Sequence, residues 1–320
     1  MAQKIIIDTD PGVDDAMAIF FALQSPELEV LGITAVFGNG GVANTASNAI
    51  RIVETAVRGD IPVAAGANTP LVIPQRFSGG ASVHGHDGLG NAGEQLPQPR
   101  GKPVAQHAAA FIVETVMANP GEVILVPIGP LTNIALALRL EPAIVHAVKG
   151  ISLMGGSAFV GGNKTAAAEA NIYNDPHAAA MVFAAGWPIA MAGWDVNNRF
   201  HMNQPYLDQL CALGNPATDF IKAIYPCLQA FVQLPEQAID VPDLLAVAYL
   251  VDPSLFTVKR YPVYVETEGR SAGMTVVDQR LHRRGDPVDP LVDILLDVDA
   301  ERLRTLYLER LSRYGLGNAD

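Results

Sequence analysis

Lys4-Ile5-Ile6-Ile7-Asp8-Thr9-Asp10-Pro11-Gly12-Val13-Asp14-Asp15 is the stretch from which the fold is read. Lys4–Ile7 is a short apolar run of strand length, and residues 14–24 carry Ala16, Ile19, Phe20 and Leu23 at helical spacing. Between them Pro11 fixes φ and Gly12 allows a tight turn. Four aspartates fall within eight residues here. Like charges so close repel, and burial raises their pKa values and costs free energy unless something neutralises them. A hard cation with oxygen ligands does this directly. An aspartate at a helix N-terminus is also an ordinary cap, which accounts for Asp14 and Asp15 but not for Asp8 and Asp10 as well.

Outward from this loop, strand-like and helix-like segments alternate. Strands are predicted at 4–7, 28–36, 123–126, 151–153, 188–192 and 263–266. Helices are predicted at 14–24, 45–57, 104–118, 131–139, 175–185, 218–231, 243–250 and 298–314. Short apolar strands separated by helices indicate an α/β fold: a mainly parallel open sheet with helices on both faces, Rossmann-like in plan. No internal repeat or Ser/Pro-rich linker divides the chain, so residues 1–320 read as a single domain. Two stretches, 66–102 and 193–217, lack periodicity and hold Gly, Pro, Asn and His, among them His84, His86, Trp194, Asn197, Asn198 and His201. Loops this long are uncommon unless they bind something. In parallel α/β sheets ligands sit beyond the carboxyl ends of the strands, which is where the chemistry is expected.

Composition narrows the classes. The chain has 320 residues, 49% hydrophobic and 17% charged, which excludes global disorder. No apolar run reaches the ~20 positions of a membrane span. The N-terminus opens almost at once into a strand, without the basic, apolar and small-residue regions of a secretory leader, so a cytoplasmic setting is expected. Cys211 and Cys227 are then expected as buried free thiols. The net charge is -12, and the densest basic cluster is Arg280-Leu281-His282-Arg283-Arg284. A nucleic-acid partner is not expected from such a balance.

The aspartate loop, extended through Ala16, resembles the opening motif of the nucleoside hydrolases, which cleave the N-glycosidic bond of ribonucleosides with a bound calcium ion. The resemblance runs on through Gly38-Asn39, His84-Gly85, Val126-Pro127-Ile128-Gly129-Pro130-Leu131-Thr132-Asn133, Met154-Gly155-Gly156, Gly162-Asn163 and Ala168-Glu169-Ala170-Asn171-Ile172-Tyr173-Asn174-Asp175-Pro176. It ends at Asp243, ahead of an apolar helix, and Gly273–Asp278. It implies calcium held by the carboxylates of Asp10, Asp15 and Asp243 and by the backbone carbonyl of Ile128. Water and the ribose 2′- and 3′-hydroxyls would complete roughly 6–8 oxygen ligands. Asp10 is the implied general base for the attacking water. Asp14, Asn39, Glu169 and Asn171 are implied to hold the ribose hydroxyls, with Asn163 at the 5′-hydroxyl. Glu169 and Asn171 would point the same way in an extended segment. Asp8 is left to a supporting role. A small-molecule nucleoside substrate, homodimer or homotetramer assembly, and purine or pyrimidine salvage follow from the same resemblance.

Several residues read more simply. Asp175-Pro176 suits a helix start, with Asp as N-cap and Pro at the first position. Thr132 and Asn133 read as structural, and Trp187 as core. Met154 is either a strand-end core residue or an apolar wall against the sugar.

The pattern breaks at one place. Many family members carry His immediately before the last metal-binding Asp, and here that position is Pro242. Proline cannot donate a proton to the departing base. His84, His86 or Tyr225 are the candidates for that task, with His84 taken as the catalytic residue and Tyr225 as a base-side contact. Pro242 also keeps open a non-catalytic calcium-dependent nucleoside binder. An Asp-x-Asp after a first strand is also found in magnesium-dependent phosphatases, but later strand ends here lack the lysine and acidic pair such enzymes need.

Overall fold

The computed structural model describes residues 2–75, 80–232, 234–280 and 290–315. Residues 281–284 of the basic cluster, and 76–79 of the first long loop, lie outside these. The strands are β1 (Gln3–Thr9), β2 (Leu28–Ala35), β3 (Val63–Ala65), β4 (Val123–Pro127), β5 (Gly150–Met154), β6 (Ile189–Ala192), β7 (His201–Met202), β8 (Ile239–Asp240), β9 (Phe256–Val265), β10 (Thr275–Val277) and β11 (Leu291–Val298). Nine of them form one sheet in the order β10-β9-β11-β6-β5-β4-β1-β2-β3. All pairings from β11 to β3 are parallel, whereas β9 pairs antiparallel with both β11 and β10. β7 and β8 form a separate antiparallel ribbon.

β1 shows why a continuous apolar run makes a central strand. Ile5 and Ile7 enter one core and Ile6 the other, so both faces are buried. The helix Val13–Leu23 is buried along its whole length, Asp14 and Asp15 included. It packs against the helix Pro242–Val251 and is covered by the helix Ala300–Ser312. Tyr307 Oη donates to Met17 O at 3.2 Å, and Tyr314 Oη to Phe20 O at 2.8 Å. Tyr307 also stacks on Phe21, with ring centroids 5.6 Å apart.

The α/β class and parallel sheet are as expected, but the far edge departs from the reading. β9 starts at Phe256 rather than 263, and β10 and β11 have no counterpart among the predicted strands, nor do β3 at the opposite edge or β7 and β8 of the ribbon. Lys259 and Arg260 sit exposed on β9, so its first half lacks an apolar run. Residues 193–217 are not irregular: they hold the helix Trp194–Asn197, β7 and the helix Gln204–Cys211. The helix expected at 218–231 is two, Pro216–Ile224 and Pro226–Val232. Pro226 has no N–H for a helical bond and ends the first at Tyr225. Cys211 and Cys227 are free, as expected, but half-buried rather than buried. Among the described residues no helix is long and apolar enough to cross a membrane.

Candidate metal and ribose site

The chemistry gathers at the carboxyl ends of the parallel strands: Asp10 follows β1, Gly38 and Asn39 follow β2, Ile128 follows β4, Met154 ends β5 and Trp194 follows β6. Asp8, near the end of β1, is an anchor. It accepts from Thr34 Oγ1 at 2.5 Å and Asn133 Nδ2 at 2.8 Å, and burial pushes its carboxyl up to about 7. Asn133 also donates to Ala35 O and accepts from the Ala67 amide, so it ties three segments to the back of the site. That is the structural role read for it.

Asp10 accepts from the Asn39 amide at 2.7 Å. Glycines close round it: a Cβ at Gly38 would stand 1.9 Å from one of its oxygens, and one at Gly129 2.5 Å from the other. Asp15 accepts from Thr9 Oγ1 at 2.5 Å, the Gly12 amide at 2.9 Å and Asn39 Nδ2 at 3.3 Å. Asp243 enters from across the fold, in the first turn of Pro242–Val251. Carboxylate oxygens of Asp14, Asp15 and Asp243 lie within 4.8 Å of one another, the one such group among the described residues. Asp10 borders this trio rather than belonging to it. All four are buried. Burial, then Asp15, holds Asp10 well above the ordinary carboxylate range; burial, then Asp14, does the same to Asp243. Burial chiefly lifts Asp14 and Asp15 to about 6 each. One Asp14 oxygen is buried without any hydrogen-bond partner. Buried like charges with an orphaned acceptor are the donor set a hard divalent cation fits.

Glu169 and Asn171 do not lie on an extended segment, as the alternation suggested. Glu169 is the N-cap of the helix Ala170–Asn174, and Asn171 sits in its first turn. The Glu169 carboxylate accepts from the amides of Asn171 (2.8 Å), Gly156 (3.0 Å) and Ile172 (3.2 Å), while burial raises its pKa. Asn171 Nδ2 donates to Ile128 O at 3.1 Å and contacts both the carbonyl and the sulfur of Met154 at 3.2 Å. Met154 is thus a buried strand-end residue that also faces the site. Asn163 accepts from the Ala170 amide at 3.0 Å. Replacing Glu169 by Ala is expected to leave three buried amides without an acceptor, at about 2–4 kcal/mol. A thermal melt should fall by several degrees; an unchanged melting temperature would refute the capping role. Asp175 caps the next helix through Ala178 N, and Trp187 is buried with its indole N–H on Val182 O, as both were read.

A cavity of about 280 Å³ opens over the carboxylates. Asp14, Asn39, Asn163, Ala170, His84, Lys164, Asp240 and Pro242 line it, whereas Asp10, Asp15, Asp243, Glu169 and Asn171 are not part of its lining. Val83, Trp194, Leu228 and Phe231 supply apolar surface. His84 Nδ1 accepts from the Val13 amide at 3.2 Å and lies 3.6 Å from Asp14. Burial pushes the imidazole down to about 4, so it is neutral at physiological pH with its proton assigned to Nε2. Tyr225 does not line the cavity; its hydroxyl accepts from Gln204 Nε2 at 3.3 Å. The break at Pro226 gives the wall to Leu228 and Phe231 instead. Trp194 is marked by its place in the stretch just after a strand, whereas Lys164 and Asp240 carry no local signal.

The family model for inosine-uridine preferring nucleoside hydrolase matches residues 5–305. The probable uridine nucleosidase 2 of Arabidopsis thaliana is 38% identical over 317 residues, covering 97% of both chains. A solved plant nucleoside hydrolase superposes with a TM-score of 0.92 at 36% identity, over 98% of this chain and 99% of its own. A purine-preferring ribonucleoside hydrolase from Gardnerella vaginalis does so with a TM-score of 0.90 at 32% identity, over 98% and 99%.

Proposed function

The chain belongs to the inosine-uridine preferring nucleoside hydrolase family, an N-glycosyl hydrolase by descent, and from that premise we propose how its cavity splits a ribonucleoside into ribose and free base. The observation that carries the reading is the buried trio of Asp14, Asp15 and Asp243, with its partnerless oxygen, beneath a cavity of about 280 Å³. Asp10, Asp15, Asp243 and the Ile128 carbonyl would hold a calcium ion, with Asp14 near enough to share between cation and sugar. Bound by these residues, a hard cation would supply charge neutralisation for the carboxylates and oxygen coordination for a vicinal diol and a water.

The chain's own groups do the rest. In this reading Asp14 and Asn39, which line the cavity, hold the ribose hydroxyls with Glu169 and Asn171 behind them, and Asn163 takes the 5′-hydroxyl. Asp10, pinned by the Asn39 amide and two glycines, takes the proton of a water attacking C1′. Trp194 and Phe231 offer flat apolar surface to a base of either ring size. Relatives named for uridine and for purines agree with such a wall. A homodimer or homotetramer and a cytoplasmic role in purine and pyrimidine salvage go with this reading. A purely monomeric species in sedimentation velocity would remove the first.

Incubation with inosine, uridine, cytidine, adenosine and p-nitrophenyl riboside should release free ribose from at least one. No release from any, the activated riboside included, would leave a nucleoside binder instead.

A further inference from the structure

When the C1′–N bond breaks, its electron pair stays on the base, and a purine or pyrimidine departs faster if protonated at that moment. Among the described residues, the ionisable groups lining the cavity are Asp14, His84, Lys164 and Asp240. Asp14 belongs to the carboxylate trio. His84 is neutral, and its Nδ1 is engaged by the Val13 amide. Pro242 offers no proton.

Asp240 differs from these in having an imidazole behind it. His201 Nδ1 and Asp240 Oδ1 are 2.8 Å apart. The two residues are direct cross-strand partners in the β7–β8 ribbon, which fixes their spacing through the backbone. The Asp240 side chain is 16% exposed and that of His201 36%, so one faces the cavity and the other reaches water. The helix Pro226–Val232, which supplies Leu228 and Phe231 to the apolar wall, packs on β8. Asp240 therefore stands where the wall meets the carboxylates.

We propose that Asp240 is the proton donor to the departing base and that His201 positions and reloads it. The proposal rests on the hydrolase reading. As the C1′–N pair moves onto the base nitrogen, that nitrogen takes a proton handed on through Asp240 from His201 Nδ1. The water oxygen bonds to C1′ and its proton goes to Asp10. His201 is then refilled from solvent, which its 36% exposure allows, while Asp10 releases its proton to water. One nucleoside and one water give one ribose and one free base.

Asp240→Asn and His201→Gln, each in the full chain, test this with uridine, inosine and p-nitrophenyl riboside. Nitrophenolate leaves with little need of a proton. We expect kcat/KM on the nucleosides to fall by about 10²-fold, with a loss on the nitrophenyl riboside at least tenfold smaller. His201→Gln keeps a hydrogen bond but relays no proton, so it should show the same selectivity and covers the case in which Asp240→Asn does not fold. Equal losses on all three substrates, or no loss on the nucleosides, would overturn the proposal while the hydrolase reading stands. Absence of ribose release by the native protein itself would overturn both.

Discussion

Replacing Asp10 by Asn is expected to lower ribose release by about 10³-fold, within the ~10²–10⁴-fold worth of a positioned acid or base, and to raise the melting temperature of the metal-free protein. The amide matches the carboxylate in size, and the oxygen that accepts from Asn39 N can remain. What disappears is a buried charge. Burial and then Asp15 hold the Asp10 carboxyl well above its ordinary value. Ionising it in the fold therefore costs more than ionising it in the unfolded chain, and the cost grows as pH rises. An amide has no such cost. Activity and stability should move in opposite directions, which a merely structural Asp10 would not produce. Ribose release within tenfold of native, or a lower melting point in chelator at pH 8, would rule this assignment out.

Stripping divalent cations is the second large effect, and its sign depends on pH. Asp14 and Asp15 titrate at about 6 in the folded chain, against about 3.9 for an unperturbed aspartate. Between those values the unfolded chain holds fewer protons, so the metal-free fold loses stability as pH rises through the window. A cation requires the ionised carboxylates, and its binding releases protons and tightens with rising pH. Added calcium should therefore do little to the melting temperature at pH 5 and much at pH 7.5. At about 100-fold over Kd the gain is ~2.7 kcal/mol, or roughly 4 °C for a chain of this size. Chelation at pH 7.5 should abolish ribose release, and calcium should restore it. Equal melting curves with and without chelator at pH 7.5, together with retained activity, would count against a functional metal site.

Much of this was legible because it is local. Three isoleucines in a row announce a strand buried on both faces, and Asp175-Pro176 announces a helix start without reference to anything distant. The trio differs: Asp14 and Asp15 are neighbours, but Asp243 joins them only through the packing of two helices remote in sequence. The resemblance supplied that pairing; periodicity could not. The far edge of the sheet was missed because β9 exposes Lys259 and Arg260, and Asp293 and Asp297 interrupt the apolar residues of β11. Glu169 and Asn171 were placed on the right segment for the wrong reason, since a capping carboxylate and a first-turn amide converge without alternation. Asp240 was invisible because its significance lies in a cross-strand partner, and two-residue strands leave no pattern to read.

Tyr307 of the last helix and Tyr314 just after it have a consequence for how activity arises during synthesis. Aspartates 10–15 leave the ribosome first, but the helix carrying two of them gains Asp243 and its packing partner Pro242–Val251 only late, and its last cover only when Tyr307 and Tyr314 arrive to bond Met17 and Phe20. β11, which links the antiparallel edge to β6, is also late. The nascent polypeptide therefore carries its acidic loop throughout elongation without a competent centre. A message truncated before Tyr307 would yield no enfeebled enzyme competing for nucleosides, only an open chain for the proteases.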